Sequence, residues 1–219
     1  MRSRRTASLL LVLSGLFLLG VSGRHYVRGW LAQREARRTF ESGRPGTPAP
    51  VNPAFARVSD RLAFDVGDRG EIPTAPGGVP EGYPYGEPVA RLRIPSARID
   101  AIVFGGADQA TLEKGPGHVP GTELPGADSP FHNCVITGHR DSHFRRLGWL
   151  QKGHEIDLES PPGTRRRYRV VSREIVTPSD VRVIQPTETP RLTLITCYPF
   201  NYVGPAPKRL VIVAIPVAS

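Results

Sequence analysis

Along the second half of the chain, apolar residues recur with the two-residue period of β-strands. The densest case is the run RLTLITCYPFNYVGPAPKRLVIVAIP, residues 191–216, where Leu192, Leu194 and Thr196 alternate with Thr193, Ile195 and Cys197. Gly204, Pro205 and Pro207 then interrupt any ladder, and Lys208 and Arg209 open a second apolar strand ending at Pro216. Upstream, residues 89–94 alternate apolar with basic and stop at Pro95; residues 99–104 form another strand, turned by Gly105 and Gly106. Residues 108–114 fit a short helix with Thr111 and Leu112 facing inward, whereas residues 115–126 hold too many glycines and prolines for regular structure. Cys134 to Thr137 is a short strand, and Gly138 turns the chain so that it presents His139. A turn at 147–150 and strands at 155–158 and 168–176 complete the series. About seven or eight short strands with little helix predict a mainly β domain, either a closed barrel or a sandwich.

The first 87 residues follow a different pattern. Residues 7–23 form an apolar stretch at the short end of what spans a bilayer, which predicts a transmembrane signal anchor between a cytoplasmic tail, 1–6, and an external remainder. Val21, Ser22 and Gly23 make only a passable cleavage site. Residues 25–42 can be an amphipathic helix with Tyr26, Trp30 and Leu31 at a lipid interface, and Gly43 ends it. Proline and glycine then dominate up to Pro88, so 24–87 reads as a juxtamembrane helix plus a linker, with residues 58–66 able to form a helical turn. The alternative to a spacer is an arm that gates a cleft. The globular domain is expected over 88–219.

Charge changes this picture less than its total suggests. Of the net +9, residues 1–44 carry +7, with nine arginines against Glu35 and Glu41. The basic run Arg165, Arg166, Arg167, Tyr168, Arg169 has the look of a nucleic-acid patch, but it equally fits a strand with exposed basic positions, and outside the cell that is the better reading. No nucleic-acid partner is therefore expected.

The candidate chemistry centres on Cys197, at a strand end with Arg209 downstream, where a thiolate is electrostatically favoured. A histidine such as His139 can take and return a proton near neutrality. TLITC followed by Tyr-Pro, then PKRLVI, with TGHRD upstream, resembles the sortase family of membrane-anchored cysteine transpeptidases. GPGHVPGTELPG and the C-terminal run are most similar to class D sortases. The resemblance covers roughly 87–219. It implies an eight-stranded barrel and a catalytic trio of Cys197, His139 and Arg209. It also implies secreted proteins bearing an LPxTG-like or LPxTA-like C-terminal motif as acyl donors, and an amine of the cell envelope or of a protein as acceptor. No cofactor is implied. His118 matches a motif position and can line the cleft, Thr196, next to Cys197 on the nucleophile strand, is a further substrate-binding candidate, and Val181, Val183 and Ile184 are candidates for an apolar substrate slot.

Each assignment has a bland alternative. A cysteine ending an apolar strand is usually a small buried hydrophobe. Cys134 can be a buried free thiol, a structural disulfide partner of Cys197, or a transient redox partner. His139 and His143 have the i, i+4 spacing of metal ligands, yet Gly138 and Asp141 indicate a turn, and no CxxC or HExxH accompanies them; no metal is expected. His143 and His154 read as surface residues. The rival functions are a cysteine hydrolase that uses water as acceptor and an anchored, non-catalytic β-domain with its two cysteines bridged.

Overall fold

The computed structural model describes Gly15 and residues 27–42, 84–126, 132–161 and 163–217. Eight strands close into a barrel: β1 (Pro88–Ile94), β2 (Ile99–Gly105), β3 (Gly117–His118), β4 (Asn133–Gly138), β5 (Glu155–Ser160), β6 (Thr164–Val176), β7 (Arg191–Tyr198) and β8 (Lys208–Pro216). Their order around the barrel is β1-β2-β3-β4-β7-β8-β6-β5, closed by antiparallel pairing of β1 with β5. Most neighbours are antiparallel; β2 with β3 and β4 with β7 are parallel.

Alternation decides which face each residue meets. Ile136, Leu192, Leu194, Leu210 and Ile212 fill the barrel interior together with Leu92 and Ile94. The intervening positions Val135, Ile195 and Val211 belong to a second apolar cluster on the outside, which also takes in Val183 and Ile184. β4, β7 and β8 are thus apolar on both faces, which is why β7 reads as a nearly unbroken buried run.

The expectation that the 115–126 stretch lacks regular structure needs adjusting, whereas the basic run is the exposed strand expected of it. The glycine-rich stretch does contain a strand, the two-residue β3, because Gly117 lies so close to Gly106 that a Cβ there would collide with the Gly106 carbonyl. The basic run is part of β6, which begins at Thr164 and pairs Arg165, Arg166 and Arg167 with Glu159, Leu158 and Asp157 of β5. The short helix expected at 108–114 is present as α2 (Gln109–Lys114, following α1 at 27–41), with Thr111 and Leu112 buried and Asp108 capping it through the Thr111 amide.

The single-pass membrane placement requires correction. Among the described residues, no helix is long and apolar enough to cross a membrane. Apart from Gly15, the apolar stretch 7–23 lies outside those residues, as does most of the linker, including the expected turn at 58–66. The helix expected next is present as α1, residues 27–41, and it is held against the barrel. Its Ala36 packs on Ile102 and Phe104 of β2. Arg37 donates to the Asp100 carboxylate and carbonyl, both at 3.0 Å. Arg91, ahead of Arg37, holds the Asp100 carboxyl down to about 2 through its own hydrogen bonds.

Candidate active site

The register of three neighbouring strands builds the site. β4 and β7 run parallel with Gly138 opposite Thr196, so the next residues, His139 and Cys197, stand one step further at the same end of the barrel. Across the other edge of β7, Cys197 pairs directly with Arg209. By strand alternation Cys197 shares the outer face with Ile195, and Arg209 shares it with Val211.

Each of the three is supported by its surroundings. Gly138 has no room for a side chain: a Cβ would lie 2.9 Å from the ring of Phe144, which is fully buried beneath the turn. The Phe144 amide donates to the His139 carbonyl at 3.0 Å and closes that turn. Arg209 is only 7% exposed, and its guanidinium donates to the Ala206 and Lys208 carbonyls at 3.0 Å each. Among the described residues no carboxylate pairs with it, so its charge is available to an incoming group. Cys197 is half-buried, and both cysteines are free.

The other sequence candidates are placed differently. Thr196 is on the interior face, buried, and its hydroxyl donates to the Gly138 carbonyl at 2.7 Å; it fixes the end of β4 and does not face the cleft. His118 is fully buried opposite Ile136, with Nε2 2.8 Å from the Glu123 carbonyl and 3.1 Å from the Thr122 hydroxyl. Burial pulls its pKa down to about 4. It shapes the β3–β4 connection and does not line a cleft. Val181, Val183 and Ile184 form a 3-10 turn whose last two residues pack in the outer apolar cluster beside Ile195 and Val211. His143 is half-buried, contrary to a surface placement; burial first, then the charge of His139, lowers its pKa.

Two residues with structural parts in the site went unassigned in the sequence. Arg140, directly after His139, donates to the carbonyls of Pro199 at 2.9 Å and of Tyr202 and Gly204 at 2.8 Å, gripping the connection that follows Cys197. Asn133 donates to the carbonyls of Val183 and Gln185 and accepts from the Thr193 hydroxyl, tying the 3-10 turn to β4 and β7. Their signal was their place in TGHRD, for Arg140, and in the strand that leads into it, for Asn133, but their partners lie 50 or more residues away in sequence. Among the described residues no group of three or more His, Cys, Asp or Glu is placed to hold a metal ion.

The family model described as a sortase domain matches residues 92–217, more than half the chain. This chain belongs to the sortase family. It is 39% identical over 122 residues to sortase D of Bacillus subtilis (strain 168), a match covering 55% of this chain and 60% of that protein, in line with the class D resemblance. The crystal structure of sortase C-1 from Actinomyces oris superimposes with a TM-score of 0.55 at 31% identity, over 61% of this sortase and 76% of that chain. A Clostridium perfringens sortase C structure with the C-terminal cell wall sorting motif gives a TM-score of 0.58 over 64% and 77% of the two chains; at 22% identity it speaks to the fold alone.

Proposed function

We propose that this sortase is a cysteine transpeptidase, with residues 88–219 as its catalytic domain. The Cys197 thiolate attacks a backbone carbonyl in an LPxTG-like or LPxTA-like motif near the C-terminus of a secreted protein. The C–N bond breaks as His139 hands a proton to the leaving amine, and a thioacyl enzyme remains. An amine of the cell envelope or of another protein then gives a proton to His139, attacks the thioester and carries the acyl group away. Arg209 stabilises the negative charge that builds on the carbonyl oxygen, or fixes the substrate through paired hydrogen bonds. The observation that carries this reading is the shared register of His139, Cys197 and Arg209 at one end of three adjacent strands. The outer apolar cluster supports it further. Val181, half-exposed at the start of the 3-10 turn, suits the leucine or proline of such a motif, over a floor of buried Val183, Ile184, Ile195 and Val211, the last two lying two residues from the nucleophile and the arginine on the same face.

The test is covalent. Incubation with a motif peptide should add the acyl mass to the wild-type protein and to Cys134→Ala, and not to Cys197→Ala; an adduct on Cys197→Ala defeats the assignment. Because Cys197 is half-exposed, water is the competing acceptor, and product analysis with and without added amine separates transfer from hydrolysis.

A further inference from the structure

The two half-reactions place a constraint on where the acceptor can bind. In the first, His139 gives its proton to the leaving nitrogen; in the second, run in reverse sense, it takes one from the incoming nitrogen. The acceptor amine must therefore occupy the position the leaving amine vacates, on the His139 side of the thioester. That side opens into a cavity of about 1070 Å³ bounded by α1, α2 and the turn that follows β4, with His139 in its wall. None of Val181, Val183 and Ile184 borders this cavity, and of the trio only His139 does, so it lies on the His139 side, apart from the donor side.

The charges on its walls indicate what it takes. Arg37 and Asp100 are paired with each other and leave little for a ligand. Asp141, two residues beyond His139, is exposed and has no hydrogen-bond or ion-pair partner among the described residues. Arg145, on the same turn, and Arg34, whose guanidinium lies 5.3 Å from the centroid of the Trp30 ring, are exposed and form no ion pair among the described residues. Glu113, also in the wall, accepts from the Gln109 amide at 3.3 Å, which leaves Asp141 as the exposed carboxylate near the catalytic imidazole and Arg34 and Arg145 as the exposed guanidiniums of the same cavity. Guanidinium groups hold carboxylates by paired hydrogen bonds.

We propose that this cavity is the acceptor site and that it takes a primary amine whose own unit also bears a carboxylate. Asp141 draws the ammonium end toward His139, and Arg34 and Arg145 receive the carboxylate. The bound ammonium gives one proton to water, the neutral amine forms the new C–N bond, its second departing proton goes to His139, and the C–S bond breaks to return the Cys197 thiolate. This inference rests on the thiol acyl-transfer reading, and the experiment separates the two. With the full-length protein and a motif peptide, release of the leaving fragment reports the first step. Ligation to glycylglycine, which has a free carboxylate, is compared with ligation to glycylglycine amide, which lacks it, at equal concentrations of unprotonated amine. The expected result is a KM for glycylglycine about tenfold lower, the effect of roughly one favourable charge contact. Arg34→Glu and Arg145→Glu should each shrink this preference toward one, while Arg173→Glu, a charge reversal on exposed β6, should keep it. If the leaving fragment is released but both acceptors are used equally, or if the preference survives both cavity substitutions, the acceptor site is overturned alone. If no leaving fragment is released, the acyl-transfer reading falls and takes this one with it.

Discussion

Arg140 shows how one side chain can tie together the segments that carry His139 and Cys197. Its neighbour in sequence is His139, and its three acceptors lie on the connection between Cys197 and Arg209, with the Tyr202 ring 5.8 Å from its guanidinium. Only a planar fork can serve three carbonyls in this way, so lysine is not equivalent. Arg140→Ala should lower kcat for transfer by about 10²-fold, the scale expected when reacting groups shift by about an ångström, with KM for the motif peptide changed far less. Arg140→Lys should recover part of this. A kcat equal to wild type in folded Arg140→Ala would show that the grip is unnecessary. His118 bears on stability instead. Its pKa of about 4 in the folded chain lies below the ordinary 6.5, so the unfolded chain binds the extra proton. The stabilisation is complete above about pH 6.5 and is lost as pH falls from there to about 4, in total about 3 kcal/mol. Denaturant midpoints at pH 7 and pH 4.5 should therefore differ more in the wild type than in His118→Asn; equal differences would contradict the sign.

At the level of elements, α1 does what a missing strand would do. β3 reaches only Phe104 and Gly105 of β2, which leaves the edge of β2 without a ladder partner from Asp100 to Val103. The Gln33 side chain fills this gap: Oε1 accepts from the Ile102 amide at 2.8 Å, while Nε2 donates to the Ile102 carbonyl at 2.9 Å and the Lys114 carbonyl at 3.0 Å. Covering an edge with a helix is one way proteins blunt it. In Gln33→Ala the Ile102 amide should exchange with solvent at least about fivefold faster, since losing such a bond costs on the order of 1–3 kcal/mol; unchanged protection would show that α1 docks without it. The helix itself was legible from its amphipathic pattern, but its docking surface was not, because Gln33 acquires a role only once β2 has an open edge 69 residues away. β3 escaped notice for a related reason: two residues carry no period, and glycine and proline around them signal a loop. The turn after β4 was legible, and its packing gives a further prediction. Gly138→Ala pushes a methyl group against buried Phe144, which should cost about 1–3 kcal/mol and displace His139. A variant as stable and active as wild type would mean that Phe144 yields freely.

Across the whole molecule, closure of the barrel separates the two thiols that the sequence leaves indistinguishable in reach. The convergence of His139, Cys197 and Arg209 at one end of the barrel was legible because each sits in a local motif; the cavity walled in part by His139 was not, since its walls come from residues 29–37, 100–113 and 139–145, which the fold alone assembles. For the cysteines, alternation puts Cys134 with Leu192 and Leu194 inside and Cys197 with Ile195 outside. Cys134 pairs with Leu192, and Cys197 stands five residues further along β7, roughly 16 Å away at the usual strand rise. A disulfide needs Cα atoms within about 7 Å, so no bridge can form without dismantling the β4–β7 ladder. Burial also pushes the Cys134 thiol up, away from the reactive thiolate. A thiol-alkylating reagent should therefore take up one equivalent from the native protein, at Cys197, and a second only as denaturant opens the barrel. In Cys197→Ala, labelling should track global unfolding, because Cys134 lies in the interior cluster that disperses only when the strands part. Two fast equivalents in the native state would mean an open barrel, and none would mean the bridge that the register forbids.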